Sequence, residues 1–126
     1  ANPQGEIPLL VIGIEDAAKI GSQTVVAKLT AETAKKQLRH HPELDAAEYL
    51  SAQKVIDQNT TVVQDGEKSL IFIRETYEGT KRGHVVVVKA TASGQNLFVT
   101  SYRRLSSEDA RRDKEIERLL LKGQKK

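Results

Sequence analysis

Of the three histidines in the chain, two stand side by side, His40 and His41 in "KQLRHHPEL", residues 36–44. An unperturbed imidazole titrates near pH ~6.5, so either ring is chemically apt for general acid or base work. Adjacent residues of a helix point about 100° apart, so the two rings cannot close on one ligand as an i, i+4 pair does. With no cysteine, no HExxH spacing and only His84 elsewhere, neither a metal site nor any other cofactor is expected. A structural explanation competes. A partly cationic ring at a helix C-terminus is favoured by the helix dipole, and that alone accounts for both histidines. Pro42 ends the helix and fixes where His41 points, which makes His41 the better acid–base candidate and leaves His40 the helix-end role.

A second set of polar side chains lies in strand-like segments. In "HVVVVKAT", alternation puts Val85, Val87, Lys89 and Thr91 on one face, with His84, Val86, Val88 and Ala90 on the other. In "NLFVTSYRR", Leu97, Val99, Ser101 and Arg103 are expected to share a face opposite Phe98, Thr100, Tyr102 and Arg104. In "LIFIRE", Arg74 follows Leu70 and Phe72. Arg74, Ser101 and Arg103 can then meet near one edge of a sheet, with Lys89 towards its other end or middle. An arginine fork beside a Ser or Thr donor suits a phosphate. Solvent-facing strand ends, the commoner use of such residues, are the preferred explanation from the sequence alone.

The elements that must position these groups follow from punctuation and period. Residues 8–14 and 24–29 are short β-branched runs, read as extended segments, with turn residues and no sustained helical period between them. Thr30 caps a helix over "AETAKKQLRHH", and Asp45 caps a second helix running to about Gln58. Four short apolar runs from residue 60 onward, separated by "DGEKS", "EGTKRG" and "ASGQ", predict a four-stranded antiparallel meander. A C-terminal helix over 106–122, capped by Ser106 or Ser107, ends in a basic tail, 123–126. The expected fold is α+β in a single domain, 1–126: N-terminal extended segments, two helices, the four-stranded antiparallel sheet, and a last helix. The helices should cover one sheet face and leave the other partly open.

Composition narrows the function classes. Twenty basic residues against seventeen acidic give a charge of +3, which favours polyanions only where the cations cluster. The C-terminal helix alternates Arg111, Arg112, Lys114, Arg118 and Lys122 with acidic residues, the pattern of a solvated face, with nucleic-acid contact as the lesser alternative. Only two phenylalanines and three tyrosines are available for base stacking. The apolar runs fall far short of the roughly 20 residues of a membrane span, no secretory signal is evident, and a soluble chain without membrane partners is expected. The absence of methionine suggests a piece of a longer protein. There is no GxxxxGK[ST], GxGxxG or GxSxG, so nucleotide, dinucleotide and esterase chemistry rank low.

Taken in order, "LTAETAKKQLRHHPEL", "YLSAQKVID", "LIFIRE" and "HVVVVKATASGQNLFVTSYRR" resemble the phage-borne branch of the barnase/EndoU/colicin E5-D/RelE-like nuclease superfamily. Such domains occur in prophage proteins and in Mu-type phage minor head (F-like) proteins. The resemblance runs over about residues 10–105 and leaves the last helix outside it. It implies a barnase/RelE-like fold and a metal-independent endoribonuclease, with the ribose 2′-hydroxyl attacking the adjacent phosphate. On the matching positions His41 would be general acid or base, Lys89 a phosphate stabiliser, and Ser101 or Thr100 an orienting donor. Alternation adds Arg74 and Arg103 as phosphate clamps, and Glu75 is a spare base. RNA is the implied partner, with a phage structural protein or an immunity protein as others, in the host cytoplasm or the virion. Because no carboxylate is spaced to sit beside His41, a catalytically inactive virion, assembly or protein-interaction module on the same fold is the alternative.

Overall fold

The structure is a computed structural model that describes residues 5–76 and 83–123. The first strand, β1 (Glu6–Val11), is followed by α1 (Ile14–Lys19) and β2 (Val26–Thr30). Helices α2 (Ala31–His40), α3 (Ala46–Leu50) and α4 (Ala52–Asp57) come next. The meander is β3 (Thr61–Gln64), β4 (Ser69–Glu75), β5 (Gly83–Ala90) and β6 (Leu97–Arg104), and α5 (Asp109–Lys122) ends the described chain. The class is α+β, but the sheet has six strands rather than four, in the order β1-β2-β6-β5-β4-β3. The N-terminal segments join it: β2 runs parallel to β6 with Lys28 opposite Phe98, and every other pairing is antiparallel. Without β2, the backbone edge of β6 would be unpaired.

Three helix expectations are corrected. The segment read as turn residues holds α1, a six-residue helix too short to display a period; it is fixed by burying Ala17 and, just after it, Ile20. The helix expected from Asp45 to Gln58 is two helices, because Ser51 leaves helical geometry and its hydroxyl bonds back to the Ala47 carbonyl at 3.0 Å. The last helix starts at Asp109 rather than 106; Ser106 accepts from the Glu108 N–H outside it, and the Ser106 and Ser107 carbonyls are held by Arg112. The expected turn "EGTKRG" lies, but for Gly83, outside the described residues, as does the tail beyond residue 123.

The helices cover both sheet faces, not one. Helices α1 to α4 belong with a core of Leu70, Phe72, Val86, Val88, Leu97, Val99 and Tyr102, whereas α5 seals Val63, Ile71, Ile73 and Val85 with Leu119. Alternation in β6 is broken by a bulge. Val87 pairs with Ser101 but Val88 pairs with Val99, so Thr100 is the extra residue and the strand changes phase there. Leu97 and Val99 therefore share the helix-layer face with Tyr102 and Arg104, and Phe98 shares the opposite face with Ser101 and Arg103. This corrects the uninterrupted alternation expected across the strand.

At the β1 edge, the Gln53 side chain accepts from the Val11 N–H at 2.7 Å and donates to the Val11 carbonyl at 2.8 Å, occupying groups that β2 does not use. The β5–β6 turn is tied to the α1–β2 loop at Gly94, whose carbonyl accepts from Gln23 and whose φ is +80°. A Cβ there would run into the Gly21 carbonyl oxygen. Gly94→Ala is expected to lower stability by about 2 kcal/mol, read as a shift of the urea midpoint; an unchanged midpoint would show that the loop contact is dispensable.

Candidate functional site

Two groups of chemically capable residues occur, one on each sheet face. On the helix-layer face, Glu48 is placed by the start of α3, where Asp45 accepts from the Glu48 N–H at 2.8 Å and Glu48 reaches back to the Asp45 N–H. The rest of its carboxylate serves the sheet. Arg104 Nε donates to Oε2 at 2.8 Å and Nη2 to Oε1 at 2.5 Å, a bidentate fork, while His84 Nε2 lies 2.9 Å from Oε2. Register places His84 opposite both Arg104 and Arg74, so strand pairing itself gathers the cations around the acid. Arg104, and then His84, hold the Glu48 carboxyl well below the usual carboxylate range despite its burial, and the same bond pushes Arg104 up.

Tyr102 fills the space beneath. Its hydroxyl donates to the Glu48 carbonyl, its backbone exchanges hydrogen bonds with the buried Gln37 side chain of α2, and its ring stacks on His84 at 5.4 Å between centroids. Burial, and then the Glu48 charge, push the phenol up from its ordinary value. These contacts make Tyr102 a spacer between the helix layer and the ion-paired cluster. Its hydroxyl is committed to structure.

The opposite face is open where α5 does not reach. Lys68, Lys89, Phe98 and Thr100 border a shallow recess of about 470 Å³, with Lys89 and Thr100 exposed. Lys28 pairs with Phe98 on the neighbouring strand and bonds to Glu6 at 3.2 Å and Asn96 at 3.3 Å. Further along β6 on this face come Ser101 and then Arg103, whose Nη1 donates to Glu115 of α5 at 2.9 Å.

The residues singled out in the sequence are thus divided. Lys89, Ser101 and Arg103 fall on the face opposite the helix layer, Lys89 in its open part and Arg103 at the margin of α5, with Thr100 at the bulge. His41 and Arg74 belong to the helix-layer side. His41 caps α2, its N–H donating to the Gln37 carbonyl at 2.7 Å, and Nδ1 lies 3.4 Å from Glu43. Its ring is therefore on the layer of Arg104, which donates to the Glu43 carbonyl at 3.0 Å, and is not brought to Lys89 and Ser101. Glu75 lies at the end of β4 opposite Gly83. Sequence reasoning missed Glu48, the acid that pairs with a histidine. The spacing Asp45-x-x-Glu48, a capping-box pattern, was the available signal, but nothing local tied it to His84, 36 residues away. Among the described residues no group of three metal-ligating side chains converges, and no helix is long and apolar enough to cross a membrane.

Because the Glu48 carboxyl is depressed in the folded chain, the unfolded chain binds its proton more readily. The stability it contributes is present above the unfolded carboxylate pKa of about 4.3 and is lost as pH falls below it. Glu48→Gln is expected to destabilise by about 2 kcal/mol at neutral pH and to flatten the loss between neutral and acidic pH, measured by urea titration at several pH values. A parallel pH profile for the two proteins would remove Glu48 as its source. Compared with protein-family models, with curated proteins and with solved structures, the chain matches none.

Proposed function

We propose that the protein binds RNA on the open face of its sheet. One observation carries the reading: Lys89 and Ser101, with Thr100 at the bulge, lie on the part of the sheet face beyond α5, beside the ring of Phe98, and Arg103 follows at the margin of α5. Lysines attract a phosphate backbone, hydroxyls donate to its oxygens, and a single aromatic ring offers a base one stacking surface. Cleavage is a separate matter. Attack by a ribose 2′-hydroxyl needs a proton acceptor and a proton donor at the bound phosphate, and none of the three histidines is on this face. Binding without turnover is accordingly the favoured reading. It is compatible with a phage virion or assembly module on a ribonuclease-like scaffold.

A second reading, the metal-independent endoribonuclease, is favoured by one specific feature. His84 is held through Nε2 by a buried carboxylate, as an acid–base imidazole is oriented, with Arg74 and Arg104 beside it and Nδ1 bonded to no described residue. On this reading His84 and His41 take the acid–base roles and the arginines stabilise the phosphorane, with RNA reaching the helix-layer side. The two readings separate in one assay with EDTA present. Purified protein mixed with labelled single-stranded RNA is expected to raise its anisotropy and leave it intact, and Lys89→Ala is expected to weaken binding severalfold. RNA cleavage lost in both His84→Ala and His41→Ala would overturn the binding-only reading in favour of the nuclease.

A further inference from the structure

We propose that α5 carries a second phosphate-binding surface that extends the open sheet face into one track for single-stranded RNA. The inference rests on the reading that this face holds RNA. Arg111, Glu115, Arg118 and Lys122 are spaced i, i+4, i+7 and i+11, which gathers them within about 60° of one another on the helix over about 16 Å. With Arg103 of β6 as the opposite wall, they border a groove of about 370 Å³. Four cations surround one carboxylate. That carboxylate, Glu115, is already engaged by Arg103 at 2.9 Å and by the Ser106 N–H at 2.8 Å. Arg111, Arg118 and Lys122 are exposed and face solvent.

Continuity comes from β6. Phe98, Ser101 and Arg103 follow one another along the same sheet face, and Arg103 is also the wall of the α5 groove. From Phe98 to Arg103 the strand advances about 16 Å, so the recess at Lys89 and the helix stripe are two stations on one path rather than separate patches. A membrane surface fits less well, because exposed Leu120 lies half a turn round α5 from Arg111 and Leu121 alone flanks the cations, too little apolar surface to insert. An acidic peptide would satisfy the α5 cations alone. The ring and hydroxyls of the continuing sheet face suit bases and sugar-phosphate instead.

The test compares 5′-labelled single-stranded RNAs of about 4 and about 16 nucleotides, spanning one station or both, by anisotropy over a salt series. The variants are the triple Arg111→Gln, Arg118→Gln, Lys122→Gln and the double Lys68→Gln, Lys89→Gln, with circular dichroism and the urea midpoint checking that each is folded. For the long RNA the triple variant is expected to lose about tenfold or more in affinity and to lower the salt slope by about 2, since each single-strand phosphate contact contributes about 0.7. Long RNA should bind more tightly than short to the unaltered protein, and the double variant should weaken both lengths. A triple variant with unchanged affinity and slope overturns the α5 surface while leaving the sheet-face reading intact. A double variant that binds like the unaltered protein, with the triple variant still impaired, overturns the sheet face and the shared track. If polyglutamate displaces the long RNA at equal charge concentration, the groove takes acidic peptide and the RNA assignment falls.

Discussion

The Glu48 carboxylate is the constraint on which the helix layer is organised. It is an anion placed almost wholly out of water, and such a group is tolerated only when its oxygens are fully engaged. Here the engagement reaches in two directions, to the Asp45 backbone within α3 and to Arg104 and His84 on two adjacent strands. One side chain thereby fixes the angle at which α3 leaves the "HPEL" turn and the height at which it sits over the sheet. Arg104 extends the tie to the Glu43 carbonyl, so the residues after Pro42 are held by the same guanidinium. Tyr102 and Gln37 transmit the arrangement to α2. Removing the acid would leave the Arg104 guanidinium and the His84 ring facing each other across a strand pair without their shared acceptor.

The other face is governed by shape instead of charge. The apolar residues that α5 seals lie on β3, β4 and the first half of β5, and the remaining part of that face stays uncovered. The bulge at Thr100 decides what is displayed there. Without the extra residue, Tyr102 and Arg104 could not face the helix layer while Leu97 and Val99 also did so, and the buried acid would have no guanidinium partner. The same dislocation that completes the ion-paired cluster sets Ser101 and Arg103 on the solvent side. The inner and outer chemistry of β6 are thus linked by one inserted residue.

Much of this was legible in the sequence. The caps at Thr30 and Asp45, the stop at Pro42, the four meander strands and the last helix all carry local signals, and local signals are what a single sequence expresses. The parallel pairing of β2 with β6 does not, since its partners are separated by seventy residues. A bulge leaves no mark of its own among residues of ordinary strand composition, so strict alternation sent Arg103 and Val99 to one side when they belong to two. His41 was attractive because proline fixes its backbone, yet the layer on which it lies depends on where α2 docks. The association of Glu48 with His84 is likewise a property of the assembled sheet.

The Gln53 amide at the β1 edge bears on the molecule's behaviour in a crowded solution. A terminal strand with free backbone groups is a template on which another chain can crystallise into the sheet, the first step towards fibrils. At Val11 both such groups are already occupied by a side chain that mimics a neighbouring strand, and Pro8 supplies no N–H in the middle of β1. The opposite edge, β3, is only four residues long. A sheet finished in this way at both margins resists growth by strand addition, so its colloidal fate depends on its charged faces rather than on its ribbon.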